Sequence, residues 1–170
     1  MNQELERKFN ITNVRSIKLK IKKIGARFLN ISESKDIYFK VPQKIKSTKY
    51  LRIRTKDNNL NGTLAYHEVL NDYNTKEWEV DISDAKTTKA VIEKLGFEMD
   101  VIIQKTREKY QFDKIEILID QVKNLGAFIE IEAPTIKSLK DTIILLELDQ
   151  KDIISGSGYP DLLKEKCAKH

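Results

Sequence analysis

Apolar and polar residues alternate one by one through most of this chain, and only in four places does the period lengthen. In "ELERKFNI", Leu5 and Phe9 fall on one parity and Glu4, Glu6 and Lys8 on the other. Successive side chains of a strand face opposite sides, so the three charges share a face. The same period predicts strands at 2–11, 27–33, 35–41, 49–56, 63–70, 76–82, 98–109, 110–121 and 126–133. Helical spacing replaces it in "SIKLKIKKIGARF", with an Asn13 start, Ile17, Ile21 and Ile24 on one side and Gly25 as the stop. "SDAKTTKAVIEKLGF" repeats that plan, with Ser83 or Asp84 as the cap, then Ala90, Val91 and Leu95, and Gly96 at the end. "TIKSLKDTIILLELDQ" carries Ile136, Leu139, Ile143 and Leu146 on one stripe, and "YPDLLKEK" is a short fourth helix. "DNNLNG" has the composition of a hairpin tip and Gly126 that of a strand–strand turn. Strands that outnumber helices and follow one another antiparallel define an α+β class.

On several strands the charged face carries pairs of like charge, as Glu4 and Glu6 do. "YLRIRTK" sets Arg52 and Arg54 against Leu51 and Ile53, and "QKTREKY" puts Lys105, Arg107 and Lys109 on one parity. "KEWEVDI" sets Glu77, Glu79 and Asp81 against Trp78, Val80 and Ile82. "KIEILIDQV" sets Glu116, Leu118 and Asp120 against three isoleucines, and "FIEIEAP" sets Glu130 and Glu132 against Ile129 and Ile131. Two arrangements satisfy this pattern. A sheet can turn its charged face to water, as half-wet antiparallel sheets do. Alternatively it can curl, so that the charges line an interior and the apolar residues lie outside under helices, which also abolishes the sheet edges. Like charges about 7 Å apart along one strand repel, and this counts for the second. Clustered carboxylates are stabilised by a divalent cation between them, and clustered Arg and Lys by phosphate oxygens.

With 170 residues, 40% hydrophobic and 34% charged, and only three Pro, the chain fits one soluble domain spanning 1–170. No apolar run approaches a bilayer span and the polar N-terminus lacks a signal-peptide core, so no membrane partner is expected. A single cysteine, Cys167, cannot form an internal disulfide and suits a reducing cytoplasm. The net charge of +5 permits polyanion binding, but zinc-ligand spacing, an RNP-type aromatic run and a basic heptad helix are all missing, which argues against nucleic acid. The lysines from Lys18 to Lys23 read as a solvated helix face. With two histidines and one cysteine, a metal would be held by oxygen, which suits Mg²⁺ or Mn²⁺. Trp78 and Tyr38 read as residues packed under helices, and the terminal His170 as irrelevant to chemistry.

An ordered set of motifs carries a resemblance. Glu4-x-Glu6-x-Lys8 resembles the ExExK signature of the CYTH superfamily, the triphosphate tunnel metalloenzymes. It is followed by "DIYF", "LRIR", "KEWE", "KTR", "IDQVKNLGAFIEIE" and "YPDLL", from residue 4 to residue 163. Within the superfamily, "DIYF", "LGAFIEIE" and "YPDLL" look most like class IV adenylate cyclases. The resemblance implies a closed eight-stranded antiparallel β-barrel forming a tunnel, with helices packed outside, and a homodimer as a reasonable assembly. It implies a metal site of Glu4, Glu6, Glu130 and Glu132 assisted by Asp120, and a triphosphate grip of Lys8, Arg52, Arg54, Lys105 and Arg107. Glu77 and Glu79 would orient basic side chains or hold a second metal. Glu4, Glu6, Lys8, Lys105 and Arg107 would be the catalytic set. One position departs: in "LAYHEV" the family usually has lysine where this chain has His67, whose parity suits either an inward phosphate contact or an ordinary sheet histidine.

Three activities are compatible with such a site. In an adenylate cyclase the ribose 3′-OH of ATP attacks the α-phosphorus, and cyclic AMP and pyrophosphate result. In a phosphohydrolase, water attacks the terminal phosphorus of thiamine triphosphate or inorganic triphosphate in the same tunnel. A non-catalytic module would bind polyphosphate, nucleotide or RNA, but paired carboxylates facing a polyanion without a metal would weaken that binding.

Overall fold

The computed structural model describes residues 2–41, 49–56, 59–71, 73–154 and 158–168, with backbone alone for 2–4. Eight antiparallel strands close on themselves. They are β1 (Asn2–Ile11), β2 (Arg27–Phe39), β3 (Lys49–Lys56), β4 (Gly62–Asn71), β5 (Asn74–Ile82), β6 (Met99–Phe112), β7 (Ile115–Val122) and β8 (Gly126–Glu132). The order is β5-β4-β3-β2-β6-β7-β8-β1, and β5 pairs back onto β1 to complete the barrel. Strand β1 meets β8 along Glu6–Ile11, while its other edge meets β5 at Asn2–Leu5 and a two-residue β9 (Ile153–Ile154) at Lys8–Phe9.

The isoleucine parity explains the closure. Phe9, Ile117, Ile119, Ile129 and Ile131 point outward and are buried beneath helices α1 (Val14–Lys23) and α3 (Ile136–Leu145), which contribute Ile17, Ile21 and Leu139, with Leu146 from the C-cap of α3. Each such side chain stabilises the packed state by about 2–3 kcal/mol. Helix α2 (Ala85–Lys94) covers Ile53 with Ala85 and Ile92. Helix α4 (Tyr159–Ala168) packs Tyr159, Leu162 and Leu163 where Tyr38, Ile103, Val122 and Phe128 gather, at the end of the barrel formed by the C-termini of β2 and β7. The first three helices start on side-chain caps: Asn13, Asp84 and Thr135 accept from the backbone amides of Ser16, Thr87 and Ser138. Two of them end before glycines with positive φ, Gly25 and Gly96, as expected.

Several expected boundaries move. Positions 27–39 form one strand, because pairing with β6 continues through Ser34 opposite Lys105, with register shifts at Phe28–Asn30 and Ile37–Phe39. The break expected at 109/110 lies at Asp113–Lys114, where Asp113 takes φ 52; Asp tolerates the left-handed region, unlike the residues around Tyr110. On α3, Ile136 is exposed and Thr142 is buried instead, donating to the Ser138 carbonyl. Trp78 is not under a helix: it sits partly exposed on the outer wall beside Tyr66. Tyr38 faces inward and lines the interior. Residues 57 and 58 of the hairpin tip and His170 lie outside the described residues. No helix of the described residues is long and apolar enough to cross a membrane.

Candidate active site

The interior of the barrel is a cavity of about 310 Å³ whose wall holds Glu6, Lys8, Arg52, Arg54, His67, Glu77, Glu79, Lys105, Arg107, Glu130 and Glu132. Strand register brings them together. Glu6 lies opposite Glu132 and Lys8 opposite Glu130 on the β1–β8 pair, so the two acidic motifs merge into one acidic patch. Carboxylate oxygens of Glu6, Glu130 and Glu132 all lie within 4.8 Å of one another, as a hard cation with oxygen ligands would require. The Glu4 side chain lies outside the described residues. Burial first, and then Glu130, push the Glu6 carboxyl well above the usual carboxylate range, and a hydrogen bond links the two acids. Thr75 Oγ1 also donates to Glu6 at 3.3 Å. Burial alone would raise Glu130 too, but Lys8 at 3.3 Å and Arg107 at 3.1 Å hold it well below its ordinary value.

Around this patch the cations are held by acids that stand behind them. Asp120 is fully buried and lies outside the three-carboxylate group. Its oxygens accept from Arg107 Nε and Nη2 at 2.6 Å each, from Lys105 at 2.9 Å and from the Tyr159 hydroxyl at 2.8 Å. Burial pushes the Asp120 carboxyl up, but Lys105 and Arg107 outweigh it and leave the group far below the carboxylate range. The carboxylate expected to assist a metal thus already accepts four contacts, three on Oδ2 and one on Oδ1. Asp36, also fully buried, takes both Arg54 Nε at 2.7 Å and Nη2 at 2.6 Å. Against the effect of burial, those bonds and the Arg54 charge hold it at about 2. Arg52 Nη2 reaches Glu77 and Glu79 at 3.3 Å each, so these glutamates flank an arginine.

Two cationic positions differ from their neighbours. Lys8 is raised above the lysine range: burial opposes its charge, but Glu130 and Glu6 more than offset that. Lys105 is pushed down to about 7 by burial and then by Arg107, against the pull of Asp120. His67 does face the cavity, opposite Tyr50 on β3 and Glu77 on β5. Burial, Arg52 and Arg54 push it down to about 3, so it is a neutral imidazole. Its Nε2 stands 3.1 Å from Glu77 without the alignment of a hydrogen bond.

The site also draws on residues to which the sequence reading gave no role: Asp36 behind Arg54, and Arg7, Tyr50 and Tyr159 on the wall. Asp36 shares parity with Tyr38 in "KDIYF", and that alternation could have flagged it. Arg7 sits on the apolar parity of β1, yet it reaches the cavity rim with its guanidinium 4.3 Å from the centre of the Tyr73 ring; no sequence signal marks it. Tyr50 and Tyr159 come from distant segments that meet through the fold alone.

A closed antiparallel barrel enclosing carboxylates and phosphate-suited cations defines a tunnel protein, and sequence comparison places it. The CYTH domain family matches residues 2–154, and the chain belongs to that family of triphosphate tunnel proteins. It is 34% identical over 141 residues, covering 81% of this chain and 78% of the relative, to a Methanocaldococcus jannaschii protein named "Putative adenylate cyclase MJ0240". Among solved structures it is similar to PH1012 of Pyrococcus horikoshii, with TM-score 0.85, 29% identity, 94% of this chain and 98% of that one covered. A conserved hypothetical protein of Pyrococcus furiosus gives TM-score 0.83, 26% identity and coverage of 94% and 99%.

Proposed function

We propose that this protein is a divalent-cation-dependent enzyme that converts ATP to cyclic AMP and pyrophosphate inside the barrel. The observation that carries the reading is one chamber in which three converging carboxylates lie beside a wall of arginine and lysine. That combination matches a cation–polyphosphate complex, with carboxylates for the cation and arginine and lysine for the phosphates. The name carried by the 34% identical relative points the same way. An apolar and aromatic stretch of the wall, Val69, Tyr50, Tyr38 and Ile154, offers surface to an organic group that an inorganic triphosphate lacks.

The oxygen donors of Glu6, Glu130 and Glu132 fit Mg²⁺ or Mn²⁺, and Glu4 precedes them on the same strand parity. Bound there, such an ion supplies charge neutralisation of phosphate oxygens and Lewis acidity. The chain's own residues do the rest. Lys8, Arg54, Lys105 and Arg107 bind phosphate oxygens, with Arg54 and Arg107 fixed by Asp36 and Asp120. Arg52, flanked by Glu77 and Glu79, binds farther along the chain of phosphates beside neutral His67. Held in line, the ribose 3′-oxygen bonds to the α-phosphorus as the bond to the bridging oxygen breaks. Pyrophosphate leaves, and the hydroxyl proton passes to solvent.

Hydrolysis by water at the terminal phosphorus of thiamine triphosphate or tripolyphosphate is the second reading, and one observation favours it. With its ammonium pushed down to about 7, Lys105 can take up or release a proton near neutrality, which activation of water needs. Incubating the purified protein with Mn²⁺ and, separately, ATP, thiamine triphosphate and tripolyphosphate distinguishes the two. Cyclic AMP and pyrophosphate from ATP support the cyclase; orthophosphate without a cyclic product overturns it in favour of hydrolysis. Turnover of none of the three overturns both.

A further inference from the structure

We propose that Tyr159, the first residue of α4, is a positioning residue of the phosphate-binding wall, holding Lys8 and Lys105 through its ring and through the Asp120 carboxylate. The inference rests on the triphosphate reading above. The Tyr159 ring centre lies 4.6 Å from Lys8 Nζ and 5.2 Å from Lys105 Nζ, so one aromatic side chain serves both ammoniums. Its hydroxyl donates to Asp120 Oδ2 at 2.8 Å, the same oxygen that accepts from Lys105 at 2.9 Å and from Arg107 Nη2 at 2.6 Å. Ring and hydroxyl thus act on one group of cations from two directions.

The chemistry of the ring suits that task. Lys8, Lys105 and Arg107 are like charges on long stems, and repulsion would otherwise spread them. A further carboxylate would hold them but would also neutralise the charge that a phosphate must meet. An aromatic face attracts an ammonium without cancelling its charge, and so leaves it available to a ligand.

Tyr159 is itself fixed. It is 4% exposed and packs on Phe128 at 5.0 Å between ring centres. Two residues on, Asp161 accepts from the Tyr50 hydroxyl, which in turn accepts from the Gly158 amide at 2.9 Å. Leu162 and Leu163 seat the helix on the barrel end. The family match stops at residue 154, and beyond it Gly158 and Tyr159 line the cavity.

The test uses the full chain, Mg²⁺ and imidotriphosphate, a non-hydrolysable tripolyphosphate, with affinity read by calorimetry and folding by thermal melts. Tyr159→Phe keeps the ring and loses the bond to Asp120, and affinity falls about tenfold. Tyr159→Leu loses both, and affinity falls about a hundredfold. Leu163→Ala loosens α4 without touching a lysine; it lowers the melting temperature and leaves affinity within about twofold. A purely structural role would make affinity track melting temperature across the three variants, and that result overturns the inference. If Tyr159→Leu does not fold, the contrast between Tyr159→Phe and Leu163→Ala still decides. Binding by the wild type with Tyr159→Phe unchanged overturns this inference alone. A wild type that binds no imidotriphosphate overturns the triphosphate reading and this inference with it.

Discussion

The barrel interior holds two kinds of acid that look alike in sequence. Asp36 and Asp120 are fully buried, each saturated by arginine, and both sit far below the carboxylate range. Glu6, Glu130 and Glu132 converge on one another, and the Glu6 carboxyl is pushed up. The difference lies in which strand stands opposite. Asp36 faces Arg54 and Asp120 faces Arg107 across the ladder, whereas Glu6 faces Glu132; Glu130, opposite Lys8, stands between the two kinds, ion-paired yet converging on Glu6. Opposed charges across a strand pair stabilise the fold and orient the cation; opposed like charges store repulsion that a bound cation relieves. Aspartate, with its short stem, supports the site from behind, and glutamate reaches into it.

Removing the converging acids gives the largest effect. Glu6→Ala with Glu132→Ala is expected to lower Mn²⁺-dependent turnover by about a thousandfold or more while circular dichroism stays native. Retained turnover would mean that the three-carboxylate group is not the cation site. Asp120→Asn attacks the other kind of acid. It leaves the buried Lys105 without its counter-charge and Arg107 with Glu130 alone, and destabilisation of about 3–5 kcal/mol is expected in chemical denaturation. A loss of activity with stability unchanged would instead place Asp120 with the metal ligands.

A smaller effect separates the two acids by pH. Asp36 has a folded-state value of about 2, below its ordinary 3.8, so its contribution of about 2 kcal/mol is present above pH 4 and lost as pH falls through 2. Asp36→Asn is expected to flatten the stability profile in that window. Glu6 has the opposite sign. Its raised value favours the metal-free fold below the ordinary carboxylate range, and that advantage fades as pH rises through the folded value. Glu6→Gln is therefore expected to raise metal-free stability at alkaline pH, where the wild-type carboxyl must ionise, and to shrink the rise in melting temperature produced by excess Mn²⁺. No change with Glu6→Gln would remove the repulsion on which the comparison stands.

Much of this was legible in the residues. The alternation of charge with isoleucine in "KIEILIDQV" and "FIEIEAP" assigned a face to each side chain, and the signs of those charges favoured a closed interior over a wet sheet. The helix starts at Asn13 and at Ser83 or Asp84 were local chemistry and could be read locally. Turns were less legible, because Asp113 can be a strand end or a turn and only the pairing of β6 with β7 selects one. Strand parity by itself placed Glu6, Lys8, Arg52, Arg54, Lys105, Arg107, Glu130 and Glu132 on the inward face, since that follows from the period of the backbone, but not Arg7, which reaches the rim from the other parity. It could not say that Asp120 serves arginine while Glu132 serves the acidic patch, or that Tyr159 arrives under two lysines. Partners across a barrel are fixed by register, closure and the docking of a distant helix, and those are decided by the apolar packing of the whole chain.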